Sequence, residues 1–536
     1  MAYLSQATHT LVSNYQKWHQ SLQPKEGINT IHVDEVASRV AAFYEKIRGI
    51  IDWQEEHLLK RRAIERILKR RLFSKLDIAD GNIVDSSNIA EPLVLELIRG
   101  GHFPNDKIAE IKIEQVQKAI NKYIFILNNV SYDKKKSRIQ LYSWISGIAA
   151  CELEEILTPS IKERALISYM FEIMNERIEI DQKMNEEDKN IQTFIAVQRA
   201  LFNLDNAVIS YHLLKYRYKE WKNLDQEQLE YISQNIHLVQ ANLENDLNHP
   251  LGNKFYQICE KYDTPFLLLG DVLTKNPMEG KEKLSDPELL EAAISAHYNR
   301  RVKTLKKRLG RAAFYSTLSI FLTNIVSLLL VEMPFNKWVT GYFFNYWAIV
   351  IDILGPTILM FVLVITVKPP KKDNLPLVVM EVMKFVYDKG KKDVYKIRKF
   401  RKRNIVFSAI INLFYLLAFL AILLLISWGL YQVNFPPLSY VIFIIFLSLI
   451  AFAGSKIRGR AKELQVLDEK ESFLLFFIDP FAVPVIQLGK WLTNKWKRYN
   501  IIAVFFSALI DMPFTIFVEF IEQWRYFLKE KKEKIH

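Results

Sequence analysis

One acid in an apolar run carries the most chemistry in this sequence: Asp352, inside Phe343–Val367 and three residues before the pair Gly355–Pro356. A carboxyl group at span depth in a bilayer is costly; where it persists it packs a helix bundle or serves an ion or proton path. Asn324, Asn345 and Asn412, each in or beside an apolar run, are its candidate partners. Gly355 and Pro356 predict a weakened or kinked helix centre, because proline removes a donor and its ring clashes with the carbonyl four residues back. Two further acid–proline groups, Asp479-Pro480 and Asp511-Met512-Pro513, interrupt apolar runs nearer the C-terminus. Asp as N-cap with Pro in the first turn starts a helix, so each of those runs is expected to be two helices meeting at a break.

Basic residues form the second set. Lys60–Lys75 holds eight of them against one acid, Glu65, around an apolar stripe of Ile64, Ile67, Leu68 and Leu72. Lys60, Arg61, Arg62, Arg66, Lys69, Arg70 and Arg71 are candidate contacts for anionic lipid headgroups, worth about 1 kcal/mol each near such a surface. The competing reading is a core helix whose solvent face is basic. Lys490, Lys495, Lys497 and Arg498, beside Trp491 and Trp496, form a second candidate headgroup contact. Phe73 alone offers an aromatic face near the first tract, so nucleic acid is disfavoured as a partner.

The remaining constellations argue against catalysis. Glu152, Glu154 and Glu155, followed by Glu163, Glu172, Glu176, Glu179 and Asp181, read as a solvated face or a dock for the basic half. No Glu-x-x-His pair accompanies them, as a metal site in a bundle would want. The ten histidines form neither H-x-x-x-H nor H-E-x-x-H, and His212 reads as a hydrogen-bonded structural residue. There is no G-x-S-x-G, no phosphate-cradling glycine loop, and the two cysteines have no visible activation. No catalytic, metal or cofactor site is expected.

The charge distribution sets the architecture. Residues 1–299 carry 37 Lys+Arg against 43 Asp+Glu, whereas residues 300–536 carry 35 against 16. The basic half is also the apolar half. Ala312–Val331 is 20 residues without a charge, about enough to cross 30 Å of hydrocarbon. Further spans are predicted at about 343–367, 405–431 and 438–454. Basic flanks before Ala312 and in the loop 368–404 alternate with Glu332–Gly341, which has only Lys337, and Gln432–Pro437, which has none. The positive-inside pattern therefore puts residues 1–311, the middle loop and the segment after 455 in the cytosol, with both termini there. No cleavable signal peptide is read at the N-terminus. Residues 456–536 are expected to form interfacial or re-entrant amphipathic helices and a basic tail, with Phe517, Phe520, Ile521, Trp524 and Leu528 on one face; the alternative is two further spans within 473–521, six in all.

Residues 1–30 read as poorly structured and 31–311 as a cytosolic helical domain, so the fold class is all-α. Val36, Val40, Phe43, Ile47 and Ile50 form a coiled-coil-like seam. Two functions follow. The first is a membrane-anchored scaffold that binds a protein partner or itself through these helices, on a bilayer with an anionic cytosolic leaflet. The second is a channel or transporter built on Asp352 and the broken helices.

Overall fold

The computed structural model describes residues 4–23, 27, 29–34, 39, 56–73, 87–130, 135–181, 184–341, 345–371, 373–387, 393–398, 405–466, 473–498 and single positions between 517 and 531. The chain divides into two units: residues 6–263 with 393–397 and 501–536, and residues 1–5 and 264–392 with 398–500. The division falls at Asp263, so the charged stretch before Ala312 goes with the apolar helices; a boundary near Arg311 was expected from where the apolar run begins.

The first unit contains α1 (Gln6–Ser21), α2 (Glu56–Phe73), α3 (Ala90–Arg99), α4 (Ile111–Asn128), α5 (Lys135–Leu157), α6 (Ile161–Arg177), β1 (Ile178–Ile180), α7 (Glu186–Phe202), α8 (Asn206–Arg217), α9 (Gln226–Leu247) and α10 (Gly252–Lys261). Where poor structure was expected, α1 forms and packs on α6, because Leu11, Val12 and Tyr15 share one face and bury it. One helix was expected over Asn190–Lys222. Instead Asn203 takes a left-handed φ of 48° and Asp205 caps a new helix by accepting from the Val208 N–H, which ends α7 and starts α8. The helix expected to reach Glu186 stops at Arg177, where Ile178 turns extended and pairs in parallel with β2 (Tyr395–Ile397), Ile178 opposite Tyr395 and Ile180 opposite Ile397. A two-stranded sheet inside an otherwise helical unit was not foreseen. The seam from Val36 to Ile50 lies outside the described residues.

The second unit contains α11 (Asp263–Lys275), α12 (Gly280–Ser285), α13 (Pro287–Ser327), α14 (Tyr346–Ile365), α15 (Asn374–Val386), α16 (Ile405–Tyr431), α17 (Pro437–Ala461) and α18 (Phe473–Arg498). Asp286 starts α13 as expected: its side chain accepts from the Glu288 and Leu289 amides at 2.9 and 3.4 Å, with Pro287 in the first turn. The helix does not end with the apolar run. It continues through two π turns, Leu328–Glu332 and Asn336–Thr340, where a loop was expected. Four helical stretches, Pro287–Trp338, Tyr346–Ile365, Val406–Tyr431 and Pro437–Ala461, are long and apolar enough to cross a membrane.

Their packing is layered. Ala348, Leu430, Phe435 and Phe443 form a core at the end where α13 turns into α14 and α16 into α17. Met360, Val364, Ile450 and Ile457 form another at the opposite end, with Leu309 and Ala313 against it. Glycines let the helices approach. A Cβ on Gly355 would touch the Phe443 ring at 3.4 Å, and one on Gly454 would meet Leu363 Cδ1 at 3.1 Å. On α18, which packs along α17, a Cβ on Gly489 would lie 2.0 Å from the Ser448 carbonyl oxygen.

These contacts set a contrast. Alanine is favoured over glycine in a helix by about 0.8–1 kcal/mol, and Leu363 can move, so Gly454→Ala should leave the thermal midpoint in detergent within a few degrees of wild type. Gly489→Ala must displace backbone and should destabilise by about 1–3 kcal/mol; an unchanged midpoint would refute the close crossing of α17 and α18.

Candidate functional site

The site begins with two prolines. Pro356 lies inside α14 and has no N–H for the carbonyl four residues earlier, which is that of Asp352. Asn324, buried on α13, supplies the missing donor: its Nδ2 is 3.4 Å from the Asp352 carbonyl oxygen and 3.4 Å from that of Ile353. The Asn324 Oδ1 is buried with no hydrogen-bond partner among the described residues.

Pro334 does the same to α13, where the carbonyl left over is that of Leu330. The chain answers by widening to π turns, in which the Met333 N–H donates to the Leu328 carbonyl and the Gly341 N–H to that of Asn336, five residues back. In this register Glu332 and Asn336 are buried, at 1% and 0% exposure. Glu332 Oε1 accepts from the Ser327 hydroxyl at 3.0 Å, and Oε2 from the Ser439 hydroxyl in the first turn of α17. Asp352 is 4% exposed and lies within electrostatic reach of Glu332. Glu332 with its two hydroxyl donors, and Asp352 on the turn bound by Asn324, are thus buried where α13, α14 and α17 pack. Oxygen ligands of this kind suit a proton or a hard cation rather than a thiophilic metal. Among the described residues no group of three or more His, Cys, Asp and Glu is placed to hold a metal ion.

Of the partners expected for Asp352, the structure brings Asn324 to it, through the backbone carbonyl. Asn345 is exposed at the start of α14 and makes no side-chain cap; Asn412 is exposed on α16. The helix is continuous across Gly355 and Pro356, since Asn324 satisfies what Pro356 leaves over. Likewise α18 is one unbroken helix through Asp479 and Pro480, where a break between two helices was expected. Asp511 and Pro513 lie outside the described residues. Glu332, Ser327, Asn336 and Ser439 were missed, although the signal was present: an acid two residues before a proline, at the end of an apolar run.

The basic helix α2 is largely paired inside its own unit. Arg61, 3% exposed, bonds Glu65 at 2.8 Å and the Asp205 that caps α8. Arg62 lies 3.8 Å from Asp205, Lys69 bonds Glu65 at 2.6 Å, and Arg70 and Arg71 both engage Glu96. Lys60 sits over the Phe103 ring; Arg66 is half-buried beside them. On α18, Lys490 is exposed and Lys495 lies 5.9 Å from the Trp491 ring centre, with Lys497 and Arg498 in the last turn.

The acidic tract corrects an expectation, because its first members are buried rather than solvated. Glu152 binds Lys122 at 2.7 Å and accepts from the Tyr123 hydroxyl at 2.6 Å, while Lys122 also donates to the Trp221 carbonyl at 2.8 Å. Burial pushes Glu155 up, but hydrogen bonds from Lys215 and Lys222 and the charge of Arg164 overcome it and hold the carboxyl down at about 2. Burial pushes Glu154 up to about 7. His212 is the structural histidine expected, hydrogen-bonded to Gln198 and held down at about 3 by burial.

No protein-family model, no curated protein and no solved structure matches this chain. The function is therefore argued from the geometry alone.

Two measurements check the account. Asn324→Leu should cost about 1–3 kcal/mol by stranding the Asp352 carbonyl, and much less beside Pro356→Ala, which returns a backbone donor; equal costs in both backgrounds would refute the coupling. Separately, His212 is depressed in the fold, so its contribution is complete above its unfolded value near 6.5 and is lost as pH falls through about 3. Acid melting of the helical unit should begin in that window, and His212→Gln should remove part of the slope; an unchanged slope would contradict a buried neutral imidazole.

Proposed function

We propose that this is a multi-pass membrane protein whose apolar bundle handles a proton or a monovalent cation at Glu332 and Asp352. The observation that carries the reading is the burial of two neighbouring carboxyl groups where the apolar helices meet. In hydrocarbon such a pair loses its hydration and repels itself, so it is stable only with a neutralising proton or cation at hand. A lone acid over four spans is sparse for a conduction pathway. Two buried acids, Glu332 held by the hydroxyls of Ser327 and Ser439 and Asp352 on the turn that Asn324 binds, offer oxygen ligands on neighbouring helices.

The positive-inside pattern supports a cytosolic N-terminal unit, a cytosolic basic loop between α14 and α16, and a cytosolic C-terminus. The site then lies toward the outer ends of α13, α14 and α17. Exposed Phe517, Phe520, Trp524 and Leu528 support an interfacial C-terminal helix.

A second reading, a membrane-anchored scaffold, rests on a different observation. Tyr231 and Leu238, two turns apart on one face of α9, are 65% and 64% exposed. Apolar residues at that spacing suit a partner helix or a second copy of the chain.

Flux separates the two readings. Purified protein in liposomes should pass protons, Na⁺ or K⁺ under an imposed gradient. Glu332→Gln and Asp352→Asn should each slow this by about tenfold or more, the effect of losing about 1.5–3 kcal/mol of charge-assisted bonding. Absence of flux in the wild type, or equal flux in both variants, would overturn the transport reading and leave the scaffold.

A further inference from the structure

Away from the carboxyl pair, the same unit carries a basic cleft of about 570 Å³, lined from α11 by Asp271, Thr274 and Lys275, from α13 by His297, Arg300, Arg301, Thr304, Leu305 and Arg308, and by Glu463 and Leu464 beyond α17. That volume falls within the range of about 300–1,000 Å³ usual for small-ligand sites. On α13 the positions recur at steps of three and four, so His297, Arg300, Arg301, Thr304 and Arg308 form one stripe along one helix face.

The charges divide into two groups with different work. Arg301 is fixed to Asp271 by two bonds, through Nε and, at 2.9 Å, through Nη2, which ties α13 to α11 and forms the cleft wall. Lys275, Arg300 and Arg308 are exposed and have no carboxylate partner among the described residues. Partial burial, beside Lys275, Arg300 and Arg301, holds the His297 imidazole below its ordinary value even with Asp271 near. The cleft is therefore electropositive with donors to spare.

Its position along α13 identifies the occupant. The helix is continuous from Pro287 to Ser327, so at 1.5 Å per residue Arg308 lies about 6 Å and Arg300 about 18 Å outside the start of the apolar run at Ala312. Cations at both depths match an anion that starts at the phosphate level of a bilayer and projects well beyond it. We infer that this cleft binds the phosphorylated headgroup of an anionic phospholipid, with Arg308 at the phosphodiester and Arg300 and Lys275 on outer phosphomonoesters. A headgroup bearing only a carboxylate or a single diester is too short to reach Arg300. The inference rests on the apolar helices spanning a bilayer and not on the carboxyl pair, so Glu332→Gln must leave it intact.

The test uses the full chain in nanodiscs of phosphatidylcholine, with binding read by fluorescence anisotropy of a labelled phosphatidylinositol bisphosphate. Soluble inositol trisphosphate and inorganic phosphate serve as the free-anion arms, and phosphatidylserine at matched charge as the lipid control. The expected result is saturable binding of the phosphoinositide, competed at least about tenfold more weakly by inositol trisphosphate, and little by phosphatidylserine. Arg300→Gln with Arg308→Gln should weaken binding by about tenfold or more. Lys303→Gln with Lys306→Gln, on other faces of α13, should change it by less than about twofold. Melting curves of both double variants should match wild type, since none of the four residues has an ion pair among the described residues to lose. Equal loss in the two double variants, equal binding of phosphatidylserine, or tighter binding of the free anion than of the lipid would each overturn the proposal.

Discussion

The packing of the second unit's apolar helices depends on where a helix puts the carbonyl that a proline leaves without a donor. In water the solvent would answer. Inside an apolar bundle another helix must, and the Asn324 amide of α13 does so for the Asp352 carbonyl of α14. These contacts add a polar tie to the packing of α13 on α14 beside Pro356, where Asp352 is buried.

Pro334 poses the same problem with a different solution. Here α13 itself widens into π turns and carries the helix on to Thr340. The change of register brings Glu332 and Asn336 into the interior and Glu332 onto the hydroxyls of Ser327 and Ser439. Two local responses to missing N–H groups thus assemble one polar site. The helical unit illustrates the opposite use of buried charge: Lys122–Glu152 and Arg61–Glu65–Asp205 neutralise each other in place, which fixes packing and leaves nothing for a ligand to do.

Much of this was legible in the residues. Apolar run length located the four long helices, Asp286–Pro287 marked the start of α13, and Asn324 stood among three candidate partners of Asp352, with Asn345 and Asn412. Periodicity and composition do not see what failed to appear. Glu332 read as the first residue of a loop because counting apolar residues stops at a charge, whereas hydrogen bonding does not. The acidic tract at Glu152 and Glu155 read as a solvated face because its partners come from other elements, Lys122 from α4, Arg164 from α6, Lys215 from α8 and Lys222 from the turn after α8. The break expected at Asp479–Pro480 followed a sound local rule that packing of α18 along α17 overrides.

The central claim is that Glu332 and Asp352 share a proton or cation, and infrared difference spectroscopy of the reconstituted protein tests it most directly. Exchanging choline for Na⁺ or K⁺, or shifting pH, should change the absorbance of a protonated carboxyl group in the wild type. That change should vanish in the Glu332→Gln, Asp352→Asn double variant, while the signal of Glu154 in the helical unit stays. A carboxyl signal in the wild type indifferent to cation and pH, or a cation-dependent one that survives in the double variant, would contradict a shared proton or cation.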